Sequence, residues 1–118
     1  MPFRDDASRL RDILESIALI EQFVEGMDFA AYQSDDKTRS AVERQMLTIS
    51  EASKALGRFA EELCPGDDWK GFRGMGDLLR HAYHRIDDRL VWDSVTTELP
   101  SLKLSVRKAL TSLSPDQG

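Results

Sequence analysis

The sequence lacks any apolar run approaching the roughly 20 residues that a membrane-spanning helix needs. Charged residues appear at once, at Arg4, Asp5 and Asp6, so the apolar centre of a secretory signal peptide is missing as well. The sequence therefore predicts a cytoplasmic protein that does not contact a membrane.

Cysteine is almost absent, because Cys64 is the single one in the chain. One cysteine cannot form an internal disulfide, which fits a reducing compartment. The two histidines, His81 and His84, lie three residues apart and could share one face of a helix. No carboxylate cluster or third ligand is spaced to complete a site with them, so we expect no metal.

A basic excess is missing too. The chain has 16 lysine and arginine residues against 21 aspartate and glutamate residues, a net charge of −5. Proteins that bind nucleic acids in general usually carry the opposite sign. An RNA site on this chain would need a local basic patch, or cationic side chains brought together by oligomerisation.

Glycine and proline are few and clustered, and apolar residues recur every three or four positions. This pattern predicts an all-α fold, an antiparallel bundle of four to five helices. We expect one domain at residues 1–113 and a disordered tail at residues 114–118. The main helices are expected at about residues 5–26, 34–63, 68–84 and 88–113. A short turn is expected at residues 29–32, and Pro100 should kink or split the last helix.

Three glycines, Gly71, Gly74 and Gly76, stand in the first half of the third expected helix. Each interior glycine destabilises a helix by roughly 1 kcal/mol relative to alanine. Their presence predicts close approach of another backbone, either inside the bundle or across a dimer interface.

The same helix carries Arg80, His81 and Tyr83 near its end. Histidine titrates near neutral pH and can take the proton of a ribose 2′-hydroxyl. Arginine can hold a phosphate through two hydrogen bonds, and tyrosine can donate another to the transition state. These groups suffice for RNA cleavage without a metal. The spacing alone is more typical of a polar helix end, with a histidine that caps carbonyls and a half-buried tyrosine.

Several segments, in order along the chain, resemble the HepT-like branch of the HEPN superfamily. They are residues 9–17, 40–44, 49–52, 69, 73–83, 86–87, 90–92 and 99–102. The third expected helix corresponds to the family's motif helix, and the family's His-x-Tyr motif falls on His81 and Tyr83. The resemblance spans about residues 5–113.

This resemblance implies a helical ribonuclease that is the toxin of a type VII-like toxin–antitoxin pair. The antitoxin would be a minimal nucleotidyltransferase, which can silence such a toxin by attaching AMP to the motif tyrosine, here Tyr83. Members of the family dimerise with their motif helices facing each other, so a homodimer would share its RNA site. Their cleavage uses no metal or other cofactor.

The motif arginine of the family does not carry over directly. With His81 fixed, the usual Arg-Asn pair falls on Gly76 and Asp77. Arg73 lies about one turn before Gly76 and Arg80 about one turn after, so either could supply a cation from nearly the same face. Asp77 adds a negative charge that would repel phosphate.

Glu51 matches an acidic position typical of the family, inside the second expected helix. It is either a solvated surface residue or a partner of Arg73, Arg80 or His81 across the bundle. The candidate catalytic residues are accordingly His81, Arg80, Tyr83, Arg73, Asp77 and Glu51.

Three functions fit these observations. The first is an active ribonuclease toxin. The second is a non-catalytic helical subunit that binds the nucleotidyltransferase and accepts AMP on Tyr83. The third is a helical dimer with no chemistry.

Overall fold

The computed structural model describes residues 5–81 and 87–113, and every regular element within these ranges is a helix. In chain order they are α1 (Asp6–Phe23), α2 (Phe29–Gln33), α3 (Asp36–Leu56), α4 (Arg58–Leu63), α5 (Trp69–His81), α6 (Asp88–Asp93), a π-helical turn (Ser94–Glu98) and α7 (Leu99–Leu113). The all-α bundle predicted from the sequence is confirmed. The expected disordered tail lies outside the described residues.

The two longest helices begin at aspartate caps. The Asp5 carboxylate accepts a hydrogen bond from the Ser8 backbone N–H at 3.0 Å, and Asp35 accepts one from Thr38 at 3.0 Å. Such caps satisfy N–H groups that have no partner within the first turn. Asp5 is thus the start predicted for the first helix, and Gly26, with a positive φ of 76°, turns the chain after its end.

The core is formed where α3 lies between α1 and α5, with α7 packed against α1. Its members are the apolar stripes that recur at helical spacing in the sequence. Fully buried residues include Leu10, Ile13, Ile17, Ile20, Val42, Ile49, Leu56, Leu102 and Val106. Because α1 and α5 cover it on two sides, α3 lies at the centre of the bundle.

The single helix expected at residues 34–63 is wrong, because the chain breaks at Gly57. This residue has a positive φ of 58° and separates the end of α3 from the start of α4. Positive φ is readily available only to glycine. The expected turn at residues 29–32 is likewise a short helix, α2, capped by Asp28 through the Ala31 N–H at 2.8 Å.

The distortion expected at Pro100 takes the form of the π-helical turn just before it. Proline has no N–H and its ring clashes with the carbonyl four residues earlier in a regular helix. The Leu99 N–H donates to the Ser94 carbonyl, five residues back, so the turn is wider there. The helical path thus continues past Pro100 without a break.

None of the helices in the described ranges is long and apolar enough to cross a membrane.

Candidate active site

The position of α5 is set by a close contact with α3. Gly76 is buried against Ser50, and a Cβ at position 76 would lie 2.1 Å from the Ser50 Oγ. The same hydroxyl donates to the Arg73 carbonyl at 3.0 Å. One of the two alternatives left by the glycine pattern is therefore realised for Gly76: the close approach lies inside the bundle.

The other two glycines of α5 have different surroundings. The Gly71 N–H donates to the Asp68 carboxylate at 3.0 Å, and a Cβ at position 71 would meet this side chain. Gly74 is exposed, and a Cβ there would have nothing within 4 Å. Only Gly74 thus leaves the helix surface open to an approaching molecule.

The motif histidine lies at the C-terminal end of this helix. His81 is the last residue of α5 and its side chain is exposed. The third helix was expected to continue to residue 84. Tyr83 and His84 lie outside the described residues, so the structure places His81 but not its companions.

Arg80, next to His81, reaches across to α3. Its Nη2 donates to the Glu51 Oε2 at 2.9 Å, and its Nη1 lies 3.6 Å from the Asp77 Oδ1. Glu51 thus faces the motif helix and pairs with one of the three partners considered from the sequence. The Arg80 side chain is 33% exposed.

Asp77 is not an isolated negative charge. Lys54 on α3 donates to the Asp77 Oδ1 at 2.7 Å. The pKa of Asp77 is held below its ordinary value by this lysine first, and further by Arg80 and His81. The repulsion of phosphate expected from Asp77 is therefore offset by adjacent cations.

Lys54 is the residue of this cluster that the sequence interpretation missed. It lies three residues after Glu51 on α3, as Arg80 lies three residues after Asp77 on α5. Residues three apart share one face of a helix. The equal spacing of opposite charges on the two helices was the signal in the sequence that could have identified Lys54.

Arg73 is occupied at the break between α3 and α4. Its Nε donates to the Ser53 carbonyl at 3.4 Å and its Nη2 to the Gly57 carbonyl at 2.8 Å. Both Nη atoms also bind the Glu61 carboxylate at 2.8 Å. Arg73 therefore caps the C-terminal end of α3, where a positive charge is favourable.

On the side of α5 facing α6, a groove of about 760 Å³ lies open. Gly71, Gly74, Met75, Leu78 and Leu90 line it, together with the polar residues Asp68, Asp93, Ser94, Thr97 and Glu98. Leu78 is 36% exposed and Leu90 is 47% exposed. The groove thus combines exposed leucines with polar and acidic side chains beside the motif helix.

Two other kinds of site have little support in the described part of the chain. No group of three or more histidine, cysteine, aspartate or glutamate side chains there could hold a metal ion. Burial raises the pKa of the Cys64 thiol to about 11, so it is protonated at neutral pH and is a poor nucleophile.

A family model described as "Ribonuclease HepT-like" matches residues 13–109. This range contains the whole of α3, α4 and α5, and with them the cluster of Glu51, Lys54, Asp77, Arg80 and His81.

Individual relatives cover most of the chain as well. A protein of Thermococcus cleftensis named "Probable ribonuclease HepT" is 39% identical over 100 residues, which are 85% of this chain and 91% of the relative. A Methanocaldococcus jannaschii protein with RNase in its name is 36% identical over 101 residues, 86% of this chain and 84% of the relative. Another protein from the same organism is 33% identical over 106 residues, which are 90% of this chain and 97% of the relative. No solved structure gives a significant match.

Proposed function

The chain belongs to the HepT-like ribonuclease family, and on that premise we propose that it is a metal-independent endoribonuclease toxin whose RNA site is shared across a homodimer. A nucleotidyltransferase antitoxin neutralises it. The observation that carries the proposal is the pairing of a candidate base and a candidate phosphate ligand, His81 and Arg80, side by side at the C-terminal end of α5.

The reaction follows from the chemistry of these two groups. His81 takes the proton of a ribose 2′-hydroxyl, whose oxygen then attacks the adjacent phosphorus. The bond between phosphorus and the 5′-oxygen breaks, and this oxygen takes a proton from solvent, so the products carry a 2′,3′-cyclic phosphate and a 5′-hydroxyl. Arg80 binds the non-bridging phosphate oxygens, on which negative charge grows in the transition state.

Arg80 fits the phosphate role better than Arg73. All three guanidinium nitrogens of Arg73 already bind carbonyls or the Glu61 carboxylate, and Arg73 lies seven residues before Arg80. Seven residues correspond to about 10 Å along a helix. Arg80 is adjacent to His81, and its ion-pair partners among the described residues are the exposed carboxylates of Glu51 and Asp77, which a phosphate can replace.

Tyr83 is the proposed site of regulation. It follows His81 by two residues in the sequence, so AMP attached there by the nucleotidyltransferase would add bulk and negative charge next to the candidate base. In the unmodified protein Tyr83 would donate a hydrogen bond to the phosphate. These roles rest on the family resemblance.

The homodimer is supported by the groove beside α5. α5 packs extensively on α3, and its opposite side presents Gly74, Met75 and Leu78 to the groove. A second copy seated on this surface would bury Leu78 and Leu90 and bring two His81 residues closer together. It would also double the number of cations near an RNA strand bound by an acidic protein.

The alternative is a non-catalytic subunit that binds the nucleotidyltransferase. It is favoured by one observation, the presence of Gly76 and Asp77 where the family usually has arginine and asparagine.

The test is RNA cleavage by the purified full chain in EDTA, with total RNA and tRNA as substrates. We expect cleavage by the wild type, 2′,3′-cyclic phosphate ends, and a loss of roughly 10²- to 10⁴-fold in His81→Ala. Arg80→Ala should fall comparably, whereas Arg107→Ala, an exposed arginine on α7, should not change. Absence of cleavage by wild-type dimers that mass spectrometry shows to lack AMP on Tyr83 would instead overturn the ribonuclease proposal.

A further inference from the structure

Four charged side chains form an alternating array on the exposed surface where α3 meets α5. We call it the charge array: Glu51 and Lys54 on α3, Asp77 and Arg80 on α5. Lys54 pairs with Asp77 at 2.7 Å, Arg80 with Glu51 at 2.9 Å, and Arg80 with Asp77 at 3.6 Å. The array lies beside His81, because Arg80 directly precedes His81 at the end of α5.

Stability does not account for this array. Lys54 and Asp77 are 38% and 63% exposed, and Arg80 and Glu51 are 33% and 58% exposed. Exposed ion pairs of this kind contribute about 0–1 kcal/mol. The packing between the helices is already fixed by the buried contact of Gly76 with Ser50.

The array also has no net charge, since two cations face two carboxylates. An RNA strand would therefore not be attracted to it from a distance. It could bind only by exchange, in which phosphates take the places of the carboxylates on the two cations. An acidic protein can in this way carry an RNA site that has little affinity for unrelated polyanions.

We propose that Lys54 is a second RNA-phosphate-binding residue, which holds a phosphate neighbouring the one bound by Arg80, and that Asp77 is the counter-ion this phosphate displaces. This inference rests on the proposed ribonuclease function and deepens it. Two neighbouring phosphates of one strand can each be bound by one of two neighbouring cationic side chains. Lys54 and Arg80 are both within ion-pair distance of the same Asp77 Oδ1, so they flank one point of the surface.

The first measurement is binding of a 2′-O-methyl RNA oligonucleotide, which cannot be cleaved because its 2′-oxygen carries no proton. Affinity is followed as a function of salt concentration for the wild type, Lys54→Gln and Lys54→Arg. The control is Lys37→Gln, an exposed lysine of the same helix. It lies 17 residues away, which is about 25 Å along α3.

Loss of one phosphate contact on a single strand should reduce the slope of log K against log salt by about 0.7. We expect this change in Lys54→Gln, with a raised KM and a smaller effect on kcat. Lys54→Arg should retain most of the slope, and Lys37→Gln all of it. A slope in Lys54→Gln equal to that of Lys37→Gln, together with RNA cleavage by the wild type, overturns the role of Lys54 and leaves the ribonuclease function standing.

The second measurement tests the counter-ion. Asp77→Asn should tighten RNA binding by about two- to fivefold, the scale of one surface ion pair. Asp12→Asn on α1 removes the same charge elsewhere and should change binding less. In a Lys54→Gln background the gain from Asp77→Asn should shrink, because the lysine it frees is gone. An undiminished gain there would mean that Asp77 acts on RNA without Lys54. A wild type that neither binds nor cleaves RNA removes both proposals together.

Discussion

At position 76 the two central helices approach so closely that a side chain has no room. A Cβ there would lie 2.1 Å from the Ser50 Oγ and 2.7 Å from the Ser50 Cβ. Gly76→Ala must therefore move α5 away from α3 or rotate Ser50 away from the Arg73 carbonyl. We expect the free energy of unfolding to fall by about 1–3 kcal/mol, measured by urea denaturation.

Gly74→Ala is the matched control on the same helix. Nothing lies within 4 Å of a Cβ at this position. Replacing an exposed helical glycine by alanine should stabilise the folded chain by up to about 1 kcal/mol. A stability change in Gly76→Ala equal to that in Gly74→Ala would show that the contact with Ser50 does not determine the effect at position 76.

The sequence could name most residues of the candidate site but could not choose between its arginines. Arg73 and Arg80 lie on nearly the same face of α5, so periodicity treats them alike. The two arginines differ in the hydrogen-bond acceptors that lie opposite them, on α3 and at its C-terminal end. Arg73 donates to the carbonyls of Ser53 and Gly57 as well as to Glu61 on α4, whereas Arg80 donates to the Glu51 carboxylate. That difference depends on the break at Gly57.

At the level of helices, the break at Gly57 was hidden by a continuous apolar stripe. Val42, Met46, Ile49, Ser53, Leu56 and Ala60 are all buried, as their spacing predicted. The stripe crosses residue 57 because α4 turns back onto the same core. A single glycine in a long helical pattern is tolerated in many helices, so its positive φ could not be inferred from periodicity. The main helices were therefore predictable, and this junction was not.

The junction itself is held by Arg73 and Glu61, and this makes a pH-dependent prediction. The hydrogen bonds from Arg73 lower the pKa of Glu61 below its ordinary value of 4.5. A carboxyl with a depressed pKa stabilises the fold above its unfolded-state pKa, and the effect is lost as pH falls through the folded-state pKa. We expect Glu61→Gln to lower Tm at neutral pH, with the difference from the wild type shrinking below about pH 4.5.

Glu62→Gln is the control for this measurement, since Glu62 is an exposed neighbour on the same short helix. Its Tm should follow that of the wild type at every pH. If the Glu61→Gln difference stayed constant down to acid pH, the ion pair with Arg73 would not be its source.

For the whole molecule, the open groove beside α5 predicts how the chain assembles. Leu78 and Leu90 are partly exposed there, on two helices that make little contact with each other. Exposed leucines that line one groove are typical of an interaction site. In a symmetric dimer, Leu78 and Leu90 of both copies would be buried in the same interface.

Leu78→Glu should therefore weaken the dimer by about a hundredfold. Each copy would bring one carboxylate into the interface, and both would be buried without partners. The matched control is Leu104→Glu, since Leu104 is 68% exposed on α7 and does not line the groove. Sedimentation at micromolar concentration should give dimers for the wild type and Leu104→Glu, and monomers for Leu78→Glu. Thermal unfolding monitored by circular dichroism checks that the variants still fold.

Cleavage by the same proteins then connects assembly with activity. A site shared by two His81 residues requires monomeric Leu78→Glu to lose RNA cleavage while Leu104→Glu keeps it. A monomeric Leu78→Glu that cleaves as well as the wild type would mean that each chain carries a complete site. A dimeric Leu78→Glu would move the interface away from this groove, and a monomeric wild type would exclude the shared site altogether.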